Sequence, residues 1–284
     1  MTFDARESHR LNGRPFHLYA IRFGPEPQSV RYYTNLTTEF AFGVDDAGDP
    51  IIYQPWPIAH GEIVSSGNLD KTTLDVRLPD EGDIPDLYRD DTPSSVVTVI
   101  IRQGHVGDDD FKVAWAGKTV GHSFEGSEMV LACEPITSSL RRAGLTRDYQ
   151  VSCPLVLYGA QCRANRVRAT IQRPIVAVDG AIVTLSPAWE TSDERKDSYL
   201  GGIAEWLDAS GRRARRSIVR RDGPDKLILG SGAPSLVAGV MLDLVLGCNH
   251  TEGDCRGLHD NILNYGGQPQ IPTKSPFGIV NNYY

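Results

Sequence analysis

The sequence has no apolar run that could cross a membrane as a helix, because its hydrophobic stretches fall short of the roughly 18–20 residues that a spanning helix needs. Its first ten residues, MTFDARESHR, are polar and carry both signs of charge, unlike a secretory leader. We therefore expect no membrane partner and a compartment where cysteines stay reduced. Reduced cysteines are available to bind a metal or a cluster.

The short motifs of common enzymes are also missing. The sequence contains no G-x-S-x-G elbow and no H-E-x-x-H helix. Gly117, Lys118 and Thr119 end like a phosphate-binding loop, but Lys112 stands where the motif requires glycine, within a strand-like pattern. We expect no catalytic residues and no enzymatic activity.

Positive charge is scarce in the first half of the chain. The formal net charge is −7, but residues 1–146 hold 13 Lys and Arg against 22 Asp and Glu, a charge of −9, and the remainder carries +2. The acidic total disfavours a free-standing DNA-binding role, since nonspecific binding to phosphates depends on clustered positive charge, and we expect no specific nucleic-acid partner. At 284 residues the length favours two domains, and the change in charge predicts a division into 1–146 and 147–284.

Both predicted domains are β-rich. Segments 14–24 and 30–43 combine aromatic and β-branched residues and end at glycine, as strands do. In the second half, Asp179-Gly180 and Asp222-Gly223 separate apolar runs and predict hairpin turns. The only predicted helical turn is SSLRRAGL at 138–145. The predicted fold class is mainly β, with two barrel- or sandwich-like domains.

Two cysteine pairs carry the strongest chemical signal. Their spacings are C-x8-C and C-x6-C, and the four residues are Cys153, Cys162, Cys248 and Cys255. Four thiolates can hold Zn²⁺ or an iron–sulfur cluster, and a zinc knuckle normally spaces its cysteines two to four residues apart. The longer loops fit a larger cluster better, although two disulfides or buried thiols without ligands remain alternatives.

Other residues near the second pair allow a different site. Cys248, His250, Cys255 and His259 could form a Cys/His zinc site, but this would leave the first cysteine pair without a role. We interpret His250 instead as a group that donates a hydrogen bond near a sulfur. Cys133 alternates with apolar neighbours and is expected in the core.

A family resemblance rests on these cysteines and the residues around them. CPLVLYGAQC, then CNHTEGDC, Asn261, the NYGG segment 264–267 and QIP at 270–272 resemble the C-terminal half of a phage tail-hub family. That family includes relatives of the lambda minor tail protein L and of the hub proteins of gene transfer agents. The N-terminal IIYQPWPI and TTLDVRLP segments resemble its opening domain.

The resemblance implies a non-enzymatic virion protein at the tail tip, or baseplate hub, assembled in the cytoplasm of the host bacterium. It implies a [4Fe–4S] cluster on Cys153, Cys162, Cys248 and Cys255, which would staple the C-terminal domain. It also implies a homotrimeric ring between a distal tail ring and a central hub or fibre protein, with DNA free to pass through the lumen. The basic stretch Arg212–Arg221 is open to three interpretations: a solvated face, a subunit contact or a DNA contact.

Overall fold

The structure is a computed structural model that describes residues 13–25, 29–64, 73–90, 93–107, 110–141, 149–208 and 211–272, together with Phe3 and Glu7. The chain forms two compact units, Met1–Ala143 and Gly144–Tyr284. The division expected after residue 146 falls outside the described residues. No helix in the described ranges is long and apolar enough to span a membrane.

Unit 1 is built on one sheet whose described strands run in the order β3-β4-β2-β1-β7-β8-β9-β6-β5. Its pairings are antiparallel except for β2 with β4. The strands are β1 (Pro15–Arg22), β2 (Val30–Thr34), β3 (Phe40–Val44), β4 (Pro50–Pro55), β5 (Ala59–His60), β6 (Leu74–Pro79), β7 (Thr98–His105), β8 (Lys112–Glu125) and β9 (Glu128–Pro135).

Unit 2 carries a second sheet, in the order β10-β16-β13-β14-β15-β12-β11. Its strands are β10 (Thr170–Pro174), β11 (Ala177–Asp179), β12 (Ile182–Thr184), β13 (Ile203–Leu207), β14 (Arg213–Asp222), β15 (Lys226–Leu229) and β16 (Met241–Val245). Its core gathers bulky side chains such as Trp189, Tyr199 and Trp206. The prediction of a mainly β chain with two β-rich parts is confirmed.

The predicted Asp-Gly turns are confirmed. Gly180 and Gly223 both have positive φ, and they connect the antiparallel pairs β11–β12 and β14–β15. Glycine adopts this backbone without the steric cost that a Cβ would add. The strand predicted over 30–43 is divided, because residues 35–38 form bends between β2 and β3.

The helical predictions were partly wrong. The segment predicted as helix over 138–145 is a 3-10 helix at Ile136–Arg141, and residues 142–145 lie outside the described ranges. Three α-helices in the described ranges were missed: α1 (Asp83–Asp90), α2 (Asp193–Asp197) and α3 (Glu252–Gly257). Helix α1 buries Ile84, Leu87 and Tyr88, whose spacing places them on one helical face.

Cys133 lies in the core of unit 1, as predicted. Its side chain is fully buried on β9, and burial raises the pKa of its thiol to about 11. A buried thiol of this kind behaves as a small apolar side chain. Cys133 therefore has a packing role, separate from the four cysteines of unit 2.

Candidate metal centre

The seven described strands of unit 2 all lie between the two cysteine pairs in sequence. The chain passes through Cys153 and Cys162, forms β10 to β16, and reaches Cys248 three residues after β16 ends. The first and last of these strands in sequence, β10 and β16, are paired neighbours, so the start of β10 lies beside the end of β16. This pairing brings the two cysteine loops together.

The four cysteines line one cavity. They are free thiols, with Cys162 and Cys255 buried and Cys153 and Cys248 half-buried. The cavity contains about 330 Å³ of space between atoms, part of it open to solvent. Its other lining residues are Leu155, Leu157, Ala164, His250, Thr251, His259, Asn261 and Asn264.

The first loop is anchored to the end of β16. The Tyr158 hydroxyl donates to the Leu246 carbonyl at 2.7 Å, and the Cys153 N–H donates to the His250 carbonyl at 2.8 Å. Tyr158 adopts φ 59°, a left-handed conformation that tyrosine rarely adopts. These contacts fix the first loop against the second.

The second loop is shaped by a tight turn and a short helix. Gly247 precedes Cys248, and a Cβ there would collide with the Leu200 carbonyl, so the approach requires glycine. Thr251 caps α3 by accepting the Asp254 N–H at 3.2 Å. Helix α3 then places Cys255 in the cavity wall.

A third segment, 261–268, closes over both loops. The Tyr265 hydroxyl donates to the Val151 carbonyl at 2.9 Å, and the Gln268 N–H donates to the Gln150 carbonyl at 2.8 Å. Gly267 is required here, since a Cβ would collide with the Val151 carbonyl. The NYGG pattern therefore holds the two cysteine loops together, a role that could not be read from its sequence.

Three of the four sulfurs receive N–H donors. The backbone N–H of His250 lies 3.3 Å from Cys248 Sγ, and that of Gly266 lies 3.4 Å from Cys153 Sγ. The side-chain amide of Asn261 lies 3.7 Å from Cys162 Sγ. The expected donation by His250 thus comes from its backbone. Such donors favour sulfur that carries negative charge, as in a metal-bound thiolate.

Burial and the neighbouring thiols raise the pKa of two of the four cysteines. Burial, followed by the charges of Cys153, Cys248 and Cys162, raises the pKa of Cys255. Burial is the main cause of the raised pKa of Cys248, opposed by the His250 N–H bond. Cys248 and Cys255 therefore favour the protonated form unless a cation offsets the negative charge of their thiolates.

The residues present do not form a ready site for one ion. Among the described residues, no group of three or more His, Cys, Asp or Glu side chains could hold a metal ion as it stands. His259 nevertheless has a buried Nδ1 atom without a hydrogen-bond partner in the described chain, while its Nε2 donates to the Gly247 carbonyl at 2.9 Å. The four cysteines line the same cavity. The metal cluster that was expected to cross-link the C-terminal domain stays a proposal.

The basic stretch Arg212–Arg221 is partly neutralised within unit 2. Arg212 pairs with Asp208 at 2.7 Å, Arg213 with Glu205 at 3.2 Å, and Arg221 with Asp197 at 2.8 Å and with Asp193 at 3.1 Å. These ion pairs show that three arginines of the stretch are bound to carboxylates of the same unit. Less positive charge is therefore available for a partner than the sequence suggested.

Residues 197–275 match the family model described as Phage conserved hypothetical protein BR0599. This stretch includes Cys248, Cys255 and the NYGG segment, whereas Cys153 and Cys162 lie outside it. A solved chain titled "Virion of native gene transfer agent (GTA) particle" aligns with a TM-score of 0.72 and 17% identity over 96% of this chain and 92% of that chain. The resemblance to phage-related proteins is confirmed.

At this identity, the likeness to the gene transfer agent chain establishes the fold. The alignment covers 96% of this chain, so it includes residues of both units. No curated protein matches the sequence.

Proposed function

We propose that this chain is a non-enzymatic structural subunit of the tail tip of a tailed phage or phage-like particle, and that Cys153, Cys162, Cys248 and Cys255 bind a [4Fe–4S] cluster. The observation that carries the cluster proposal is the convergence of four free thiols, from loops about 85 residues apart, on one cavity. The virion proposal is supported by the fold shared with a gene transfer agent particle chain.

A cluster fits this thiol set better than a single ion does. In a [4Fe–4S] cluster each thiolate binds a different iron, so the four sulfurs need not crowd around one point. The described residues offer no group that could hold one ion, and three of the sulfurs already face N–H donors. When bound, the cluster would supply four iron–thiolate bonds that cross-link the two loops.

We infer a structural role for the metal centre. The cysteines lie before the first and after the last strand of the unit 2 sheet, so a metal bound to all four would close a loop of the whole sheet. Closing a long loop removes conformational entropy from the unfolded chain, and metal binding energy then contributes to folding. The proposed cluster would thus hold together the chain segments that enter β10 and leave β16.

The proposed assembly is a ring of three copies between a distal tail ring and a central hub or fibre protein, with DNA passing through the lumen. Identical subunits that meet head to tail close into rings of cyclic symmetry. The proposed contacts are the Arg212–Arg221 strand and the loop 268–276, of which 273–276 lie outside the described residues. A map of the assembled particle tests the placement: threefold rings at the tail tip support it, and a sixfold ring or another location contradicts it.

Cysteine variants test the ligand set. Replacing any of Cys153, Cys162, Cys248 or Cys255 by Ser should remove the cluster and loosen unit 2, because each change removes one bond of the cross-link. Cys133→Ser is the matched control, since that thiol lies in the core of unit 1. Loss of the cluster in the control, or its retention in any of the other four variants, contradicts the assignment.

The second candidate is a zinc protein of unrelated function, and His259 is the observation that favours it. Its buried Nδ1 lacks a partner in the described chain, and a metal-binding imidazole commonly donates its other N–H to a carbonyl, as Nε2 does here. A His259→Phe variant separates the two candidates. Iron retained in this variant supports the four-cysteine cluster, whereas loss of one bound zinc supports the Cys/His zinc site.

A further inference from the structure

One buried amide joins the two cysteine loops. Asn261 is 8% exposed, and its Nδ2 donates to the Cys162 carbonyl at 2.6 Å, across 99 residues of sequence. Its backbone N–H donates to the Cys255 carbonyl at 2.8 Å, and its carbonyl accepts the Cys255 thiol at 3.2 Å. Asn261 therefore contacts one cysteine from each loop.

The orientation of the amide follows from its neighbours. Nδ2 faces a carbonyl oxygen, which only accepts, so the group there must be the donor NH2. Oδ1 accepts from Asn264 Nδ2 at 2.7 Å, which fills its other side. The opposite orientation would place Oδ1 against the Cys162 carbonyl oxygen, two acceptors, so the hydrogen bonds determine which side-chain atom is nitrogen and which is oxygen.

We propose that Asn261 is the positioning residue that holds Cys162 and Cys255 at their separation before any metal binds. Its part in tuning a cluster rests on the proposed function, whereas its part in arranging the thiols does not. The donor Nδ2 also lies 3.7 Å from Cys162 Sγ, where it stabilises negative charge on that sulfur. Hydrogen bonds to cluster sulfurs are one of the factors that set reduction potential.

Two substitutions and one control isolate this role. Asn261→Asp keeps the shape but replaces the donor NH2 with an oxygen that faces the Cys162 carbonyl and sulfur. Asn261→Leu removes both polar atoms at a similar volume. Asn165→Asp adds the same charge at an exposed turn and keeps the acceptor that receives the Arg168 N–H at 3.1 Å. It therefore controls for charge alone.

The first measurement uses metal-free, reduced, full-length protein. Dibromobimane becomes fluorescent when it joins two thiols, and peptide mapping identifies the Cys162–Cys255 product. We expect joining to slow about tenfold in both Asn261 variants, because a buried hydrogen bond between the loops is lost, and to stay unchanged in Asn165→Asp. Wild-type rates in both Asn261 variants would overturn the proposal. If Asn261→Leu does not fold, the nearly isosteric Asn261→Asp decides alone.

The second measurement is the reduction potential of the protein after its cluster has been reconstituted. If Asn261 only holds the loops together, its substitution should not shift this potential in a defined direction. Asn261→Asp should lower the potential by about 60 mV, a tenfold change in a one-electron equilibrium. The Asn165→Asp control should keep the wild-type potential. An unchanged potential in Asn261→Asp contradicts the tuning role. If wild-type protein binds no cluster, the proposed function fails, and the joining rate still decides the role of Asn261.

Discussion

Left-handed backbone at residues other than glycine is concentrated around the four cysteines. In the described ranges, the non-glycine residues with positive φ are Tyr158, Arg163, His250 and Asp260, and all four lie in or beside the two cysteine loops or the segment 261–268. Such backbone costs about 1–2 kcal/mol for a residue with a Cβ and persists where surrounding contacts enforce it. The loops thus store conformational strain, which the contacts between them and any bound metal must offset.

Arg163 provides a direct test of this strain. It follows Cys162, has φ 57°, and its side chain is exposed. Arg163→Gly should raise the free energy of unfolding of unit 2 relative to Arg163→Val by about 1 kcal/mol or more, because glycine adopts positive φ freely and valine does not. Both variants lose the bond from Arg163 Nε to the Ala160 carbonyl, so their comparison cancels that effect. Equal urea midpoints would show that the backbone is not strained there.

His17 predicts how the stability of unit 1 depends on pH. Burial, and then the nearby charge of His60, lowers the pKa of His17 from 6.5 to about 4, and the two rings lie 4.6 Å apart. The unfolded chain therefore binds this proton more readily than the folded chain does. The stability contributed by neutral His17 is fully present above pH 6.5 and should be lost as the pH falls towards 4.

The measurement is the urea midpoint of wild-type protein and of His17→Gln between pH 7 and pH 4.5. We expect the midpoint of the variant to fall less steeply with acid, because glutamine does not titrate. A steeper fall in the variant, or identical curves, would contradict the assigned role of His17.

At the scale of the secondary-structure elements, two helix caps form a matched pair. Thr251 caps α3 and Ser192 caps α2, each by accepting a backbone N–H at 3.2 Å. Only α3 carries a proposed ligand, Cys255. The pair can therefore separate a general loss of stability from an effect on the metal centre.

Thr251→Val and Ser192→Ala should each lower the free energy of unfolding by about 1 kcal/mol, the usual cost of losing a cap. Only Thr251→Val should also speed the loss of iron to a chelator, because a frayed α3 releases Cys255. The proposed coupling between α3 and the metal centre fails if both variants lose iron at the same rate.

Sequence reasoning succeeded where local chemistry decides the structure. The Asp-Gly turns and the β-branched strands were predictable because each depends on neighbouring residues. Helix α1 was missed although Ile84, Leu87 and Tyr88 carry a helical spacing, because the surrounding Asp and Pro residues resemble a loop. The meeting of the cysteine loops depends on the pairing of β10 with β16, a tertiary event that local patterns do not encode.

The family resemblance supplied what local patterns could not. It assigned the four cysteines and the NYGG segment to one site. The structure places the cysteines in the lining of one cavity and the NYGG residues in the segment 261–268 that closes over it. It gave no role to Asn261 or to the left-handed Tyr158 and His250, because those roles follow from atomic contacts.

At the scale of the whole molecule, the basic stretch distinguishes internal pairing from partner contacts. Arg221 bonds to two carboxylates, whereas Arg220 is exposed and makes no ion pair with the described residues. Arg220→Glu should change the free energy of unfolding by no more than about 0.5 kcal/mol, as most surface changes do, yet reduce incorporation into particles. Normal incorporation of this variant would exclude this part of β14 from the proposed interface.

The proposed function depends most on the binding of an iron–sulfur cluster by the four thiols of unit 2. The most direct test is elemental and spectroscopic analysis of full-length protein purified without oxygen. We expect a brown protein with about four iron and four acid-labile sulfide per chain, because a [4Fe–4S] cluster on four cysteines contains that number of each. A colourless protein with one zinc per chain would show that the four cysteines do not hold a cluster.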